Sequence, residues 1–291
     1  MRSYLPSIIL FAGLILLILF MMPSPMFKLF RQEVQQELAR HPPSPQGVFT
    51  EMDIKPLPEP VQRYFRTCGW LGKPKMSNAT IAINQMKLKM DLNKDFVSVK
   101  SYQFNSVAAP VRLAYLKSAM YGFIPFSGRD RYQDGIGHMY IKLLRYFPVV
   151  DLKGIEMDRA ALVTVLAETF LAPSYALQPY ISWTPIDANT ASASLTDGNI
   201  KVSGTFYFDD ASEFVRFETM DRYMTQKDGS MKQTKWVATV SDYVGRNGVR
   251  VPSRMSAAWQ TENGLKEYAQ RNIEDVRYDV ETIDEVLFKN H

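Results

Sequence analysis

The sequence contains very few of the cysteine and histidine side chains that zinc and redox sites use. Cys68 is its single cysteine, and its three histidines are His41, His138 and His291. A single cysteine cannot form an intrachain disulfide or a paired-cysteine zinc site, and histidines so far apart give no metal-ligand spacing. The sequence therefore predicts neither a metal nor a cofactor.

Neither sign of charge dominates the chain. The 291 residues include 34 Lys and Arg against 30 Asp and Glu, which gives a formal net charge of +4. Because basic and acidic residues alternate, this mild excess predicts no nucleic-acid partner. The chain is 46% hydrophobic and 12% aromatic, which is enough apolar material for a sizeable core.

Residues 5–22 carry no charge and are almost wholly apolar. At about 1.5 Å per helical residue, this stretch nearly spans a bilayer core of about 30 Å. No small-x-small cleavage site follows it, so the pattern favours an uncleaved anchor over residues 1–24. We therefore expect a single-pass membrane protein that contacts the bilayer through residues 5–22. An extracytoplasmic (periplasmic) domain is preferred, although the flanking charges leave the orientation open.

Residues 25–55 are predicted to contain an amphipathic helix and a proline-rich linker. The apolar residues at helical spacing are Met26, Phe27, Phe30, Val34 and Leu38. Such a helix either lies on the membrane surface or continues from the anchor as a stalk. The three prolines between His41 and Gly47 predict a stiff, extended segment after it.

Residues 56–291 are predicted to form one antiparallel β-rich domain. Apolar and polar residues alternate with a period of two from Asn78 onward, with an irregularity at Asn84-Gln85 that indicates a bulge or turn. The Asp134-Gly135 pair predicts a tight hairpin. Strands are predicted at residues 181–187, 190–196, 200–208, 214–223, 231–243, 249–260 and 265–278.

The fold class that follows is α+β. It comprises an N-terminal transmembrane helix and then a curled, mostly antiparallel, open-barrel-like sheet with a few packing helices. Turns this short join antiparallel neighbours, and strands this long must twist and curl. One clear helix is predicted at residues 157–171. A curled sheet with that helix across its opening can enclose an apolar cavity.

Six residues are candidate ligand contacts, although the aromatic ones also fit an ordinary core. They are Tyr64, Phe65, Phe123, Phe126, Glu168 and Trp183. Glu168 lies in an apolar part of the predicted helix, so its charge requires a partner, for which Arg129 or Arg131 is suggested. Glu168 is either half of a structural ion pair or a catalytic acid, and His138 is either a hydrogen-bonded structural residue or a general base.

Several short motifs resemble those of an uncharacterised bacterial family, a domain of unknown function, over residues 55–280. They are Leu57-Pro-Glu-Pro-Val-Gln-Arg-Tyr-Phe-Arg, Asp134-Gly-Ile-Gly-His-Met, Leu166-Ala-Glu-Thr-Phe-Leu-Ala-Pro-Ser, Ile181-Ser-Trp-Thr-Pro-Ile-Asp and Trp259. More distantly, the layout resembles the LolA-like open barrels that carry lipoproteins or lipids in the bacterial envelope. The resemblance implies a curled sheet and assigns no activity to any residue.

Three functional hypotheses follow. The first is a non-enzymatic, membrane-anchored protein that binds a lipid or acyl chain in its curled sheet. The second is an enzyme of unknown type that uses Glu168 or His138 on an envelope or small-molecule substrate. The third is a scaffold for a membrane complex, which predicts a large exposed apolar patch.

Overall fold

In the computed structural model, which describes residues 24–120, 124–226 and 230–288, one antiparallel sheet carries helices on both faces. The strands are β1 (Asn78–Leu88), β2 (Val97–Ser106), β3 (Val111–Met120), β4 (Ile124–Gln133), β5 (Ile136–Leu143), β6 (Phe147–Leu152), β7 (Ile181–Asp187), β8 (Thr190–Asp197), β9 (Ile200–Phe208), β10 (Phe214–Thr219), β11 (Tyr223–Thr225), β12 (Met231–Gln233), β13 (Trp236–Arg246), β14 (Val249–Thr261), β15 (Gly264–Asn272) and β16 (Asp275–Tyr278). The helices are α1 (Pro25–Arg40), α2 (Glu51–Ile54), α3 (Glu59–Thr67), α4 (Ile155–Ala167) and α5 (Ile283–Val286), with 3-10 turns at Thr169–Leu171 and Pro173–Leu177.

The strands are ordered β6-β5-β4-β3-β2-β1-β15-β14-β13-β10-β9-β8-β7, and β16 pairs with the first half of β1. All of these pairs are antiparallel, as the sequence predicts. The register of β1 against β2 shifts between Ile83 and Met86, where the irregular alternation indicates a bulge. The Asp134-Gly135 hairpin joins β4 to β5, with Gln133 opposite Ile136.

The sheet is strongly curled, and α4 shows this directly. The 13 residues of α4 span about 20 Å. Yet α4 contacts both β5 and β9, which lie nine strand spacings apart in the sheet. A flat sheet would separate those two strands by about 43 Å. The two ends of the sheet therefore bend toward each other and α4 lies between them, so the prediction of a curled antiparallel sheet is confirmed.

The predicted strands at residues 214–223 and 231–243 are each interrupted. β10 ends at Thr219 and β13 begins at Trp236, and between them β11 and β12 form a separate small hairpin. Asp221 lies at the interruption, where its carboxylate accepts hydrogen bonds from Arg159 of α4 (2.8 Å) and from the Ser203 backbone (2.7 Å). These long-range contacts outweigh the local strand pattern.

Helix α1 packs on the outer face of the sheet, opposite α4. The outer cluster comprises Met26, Phe30, Val34 and Leu38 of α1, Phe104, Val111, Leu113 and Tyr115 of the sheet, and Val280, Ile283, Val286 and Leu287 near α5. Glu33 of α1 adds ion pairs, since its Oε1 accepts hydrogen bonds from Arg129 (2.6 Å) and Arg131 (2.9 Å) of β4. The sheet therefore covers the apolar side of α1.

The prediction of a single-pass membrane protein is contradicted. Within the described ranges, no helix is long and apolar enough to cross a membrane. The longest, α1, has 16 residues and carries several charges, whereas a membrane-spanning helix needs about 20 apolar residues. Residues 5–22, on which both the predicted anchor and its bilayer contact depend, lie outside the described residues.

Candidate functional site: the cavity beneath α4

The inner face of the curled sheet and α4 line a cavity of about 150 Å³. Its apolar walls are formed by Met86, Leu88, Ala114, Leu116, Met139, Met157, Ala167, Trp236, Ala238, Met255, Ala257, Tyr268 and Ala269. A cavity of this size accepts a group such as benzene. Four of the lining residues are methionines, whose unbranched side chains can change rotamer to admit a longer ligand.

One part of the cavity wall is a buried charge network centred on Glu168, which is 2% exposed. Its Oε2 accepts hydrogen bonds from Arg112 (2.9 Å) and Gln103 (2.6 Å), and its Oε1 accepts one from Arg271 (2.6 Å). Arg112 also donates to Asp130 at 2.7 Å. Glu168 immediately follows α4, so this network ties the end of the helix to β2, β3 and β15.

The two arginines keep Glu168 ionised. Burial alone raises the pKa of its carboxyl group, but the charges and hydrogen bonds of Arg112 and Arg271 outweigh burial, and the net pKa is lowered. For Arg112 itself, burial favours the neutral form, but Glu168 and Asp130 overcome this and raise its pKa. Glu168 is therefore a fixed anion, and this is poorly suited to a general acid.

The suggested partners of Glu168, Arg129 and Arg131, are wrong. Successive side chains of a strand point to opposite faces, so Asp130 of β4 lines the cavity while its two neighbours bind Glu33 on the outer face.

Arg222 forms a second polar feature of the cavity wall. It lies in the interruption between β10 and β11, and its guanidinium stands over the ring of Trp236 (4.4 Å to the centroid) and near that of Trp259 (5.8 Å). The two tryptophans are directly opposite each other on β13 and β14. One N–H of Arg222 donates to the Thr164 hydroxyl of α4 at 3.2 Å.

The other predicted ligand contacts lie elsewhere. Tyr64 and Phe65 of α3 are fully buried, and Tyr64 and Trp183 both pack on Phe170, with ring centroids 4.3 Å and 6.2 Å from it. Phe126 borders a separate open groove, beside Tyr115. Phe123 lies outside the described residues. Of the six candidates, Glu168 lines the cavity beneath α4.

His138 is held by hydrogen bonds on the sheet, and Cys68 is buried in the core. Nδ1 of His138 lies 2.8 Å from Arg129, and its Nε2 lies 2.8 Å from Asp151. Because arginine only donates, Nδ1 is the acceptor and Nε2 carries the proton. Burial raises the pKa of the Cys68 thiol to about 12, so the thiolate is scarce near neutral pH. In the described part of the chain, no group of three His, Cys, Asp or Glu residues is placed to hold a metal ion.

Local sequence patterns do not single out Arg222, Arg112, Arg271 or the methionines of the cavity wall. Methionine accounts for 15 of the 291 residues, which is the one compositional sign of such a cavity. No local sequence pattern marks the three arginines as cavity residues. Arg112 and Arg271 line the cavity because the sheet curls, and Arg222 lines it because the chain leaves the sheet after β10.

Two solved structures illustrate what this fold is similar to. A LolA superfamily protein from Nitrosomonas europaea matches with 9% identity and a TM-score of 0.40, over 75% of this chain and 93% of that chain. A DUF1329 family protein from Desulfovibrio piger matches with 10% identity and a TM-score of 0.39, over 77% and 92%. A comparison with curated proteins gives no match.

One protein family matches most of the sequence. The model of a family of unknown function, DUF6544, matches residues 47–271. This range includes most of the span over which the short motifs resemble an uncharacterised bacterial family, so that prediction is confirmed. The chain belongs to the DUF6544 family of unknown function.

Proposed function

We propose that this protein binds a lipid or acyl chain in the cavity beneath α4. The observation that carries the proposal is a cavity between the sheet and α4 whose walls are mostly apolar and include four methionines. Binding sites for small apolar ligands are typically concave and apolar, with a few fixed polar groups. Since the present volume of about 150 Å³ is small for an acyl chain, the methionines must change rotamer as the ligand enters.

The charges around Glu168 support binding rather than catalysis. Both oxygens of Glu168 are occupied by buried or half-buried donors, and both ring nitrogens of His138 are engaged on the outer face. We assign Glu168 to the cavity wall, where it fixes the end of α4. In this proposal the aromatic residues Tyr64, Phe65 and Trp183 form the packed core beside the site.

The proposal is tested by titrating the protein with decanol, a neutral single-chain ligand, and following tryptophan fluorescence. Trp236 lines the cavity and Trp259 is its neighbour, so an entering chain changes their emission. Saturable binding to one site is expected. Native mass spectrometry of the gently purified protein provides a second measurement, in which a retained apolar ligand is expected.

A cavity-filling variant makes the test specific. Ala238→Leu places extra methyl groups into the cavity and is expected to weaken decanol binding at least tenfold while the protein remains folded. Thr239→Leu is the matched control, because Thr239 is the next residue of β13 and is exposed. Equal binding by wild type and both variants, or no saturable binding to the wild type, contradicts the proposal.

A further inference from the structure

Arg222 differs from the other arginines of the cavity wall in its partners. Arg112 and Arg271 both pair with Glu168, and Arg112 also pairs with Asp130. In the described ranges, no carboxylate lies within ion-pair distance of Arg222. The neighbouring Asp221 is turned away to Arg159 and Ser203. The lining residues thus include three arginines against two carboxylates, which leaves an excess positive charge at Arg222.

The surroundings of Arg222 orient its guanidinium without neutralising it. Trp236 lies under the guanidinium plane, and a cation over an aromatic face is held by the electrostatic field of the ring. Trp236 is itself fixed, because its indole N–H donates to the Tyr268 hydroxyl at 2.9 Å. Stacking occupies the faces of the guanidinium, whereas its N–H donors point outward around the edge. The hydrogen bond to Thr164 uses one of these donors.

We propose that the ligand is a single-chain anionic amphiphile, whose carboxylate or phosphate head group binds Arg222 while its chain enters the methionine-lined cavity. This inference rests on the proposed function. A guanidinium edge matches the paired oxygens of either head group. Elsewhere on the wall, Glu168 and Asp130 balance the charges of Arg112 and Arg271, so that part of the wall attracts an anion less than Arg222 does. The small cavity volume favours one chain over two.

The first test compares head groups on the same chain in the wild-type protein. Decanoate and decyl phosphate are titrated alongside decanol and the cation decylamine, with tryptophan fluorescence as the signal. At least one of the two anions is expected to bind about 10- to 100-fold more tightly than decanol, as charge-assisted hydrogen bonds typically allow. Decylamine is expected to bind more weakly than decanol, and the ratio of the two anions identifies the head group.

The second test uses Arg222→Gln, which keeps a polar side chain and removes the charge. It is expected to lose most of the anion preference, measured as the ratio of anion affinity to decanol affinity within the same variant. Arg216→Gln is the matched control, since Arg216 stacks on Tyr207 at 4.0 Å but lies on the surface away from the cavity. Melting temperatures are recorded for both variants. The wild-type comparison of head groups needs no variant and decides the question if Arg222→Gln does not fold.

The outcomes separate the inference from the proposed function. If decanol binds and neither anion binds more tightly, the cavity is an apolar site and the assignment of an anionic head group is overturned. If anion preference survives in Arg222→Gln, another cation holds the head group and the role of Arg222 is overturned. If none of the four compounds binds, the proposed function itself fails.

Discussion

Glu168 connects parts of the chain that are remote in sequence. Its partners Arg112 and Arg271 lie 56 and 103 residues away, and no periodic pattern links them to it. The sequence indicates that a carboxylate in an apolar segment needs a partner, and the structure supplies two. The identity of those partners depends on which face of β3 and β15 each arginine occupies and on the curl that brings the strands to α4.

Glu168→Gln is expected to destabilise the protein by about 3–5 kcal/mol, because it leaves the partly buried Arg271 without its carboxylate and the buried Arg112 with Asp130 alone. The measurement is the free energy of unfolding from urea titrations near pH 7. Glu262→Gln is the control, since Glu262 lies in the exposed turn after β14 and its loss is expected to change stability by less than about 0.5 kcal/mol. Similar values for the two variants would show that the network contributes no stability.

The stability difference between wild type and Glu168→Gln is also expected to depend on pH. Since the net pKa of Glu168 is lowered in the folded state, its stabilisation is complete above the usual carboxyl pKa, and it is lost as pH falls through the folded-state value. The difference in stability between wild type and Glu168→Gln should therefore be constant near neutral pH and shrink in acid. A difference that grew on acidification would mean that the carboxyl group is protonated in the native protein.

At the scale of elements, alternation and turn chemistry predict most of the sheet, because both are local signals. The predicted strands 181–187, 190–196 and 200–208 agree closely with β7, β8 and β9. The predictions are wrong where distant contacts decide the backbone. The helix predicted at 157–171 ends at Ala167, next to the ion pairs of Glu168, and the strand predicted at 265–278 divides so that β16 can pair with β1.

The docking of α4 on β5 depends on Gly137. A Cβ atom at this position would lie 2.4 Å from the Met157 carbonyl oxygen and 2.8 Å from Cβ of Ala161, so no larger residue fits beneath the helix. The Gly137 N–H also donates to Asp158 at 2.7 Å, near the start of α4. The close approach places Met157 at the cavity wall.

Gly137→Ala is expected to displace α4, to lower stability by about 1–3 kcal/mol through overpacking, and to weaken decanol binding. Gly245→Ala is the matched control, because Gly245 is also in a strand and a Cβ atom there would meet nothing within 4 Å. Urea unfolding and the fluorescence titration provide the two measurements. If both variants behave like wild type, α4 does not need this close approach.

At the scale of the whole molecule, one sheet separates two apolar layers. Helix α4 and the inner core, which includes Leu116, Leu162, Phe206 and Trp236, lie on one face, and α1 with the outer cluster lies on the other. The sequence predicts both helices and their apolar sides. It does not predict that α1 packs on the sheet, because the residues that receive α1 are distributed over β2, β3 and the segment around α5. Successive side chains of β3 point to opposite faces of the sheet, so this strand contributes residues to both layers.

Phe30→Ala tests whether the two layers unfold together. Phe30 of α1 is fully buried in the outer cluster, so its truncation is expected to cost about 3–5 kcal/mol. All four tryptophans are in or against the inner core, so their fluorescence reports on the opposite face. Because β3 joins the two layers, the tryptophan transition in urea should shift as far as the circular dichroism transition.

Met52→Ala, at a side chain 75% exposed, is the control and is expected to leave both transitions in place. If Phe30→Ala shifted the circular dichroism signal alone, α1 would be a separable layer whose loss leaves the cavity intact. Coincident shifts would mean instead that packing at α1 stabilises the cavity through the shared strands. Ligand binding beneath α4 would then raise the stability of the outer face as well, since a ligand that binds only the folded state stabilises every part that unfolds with it.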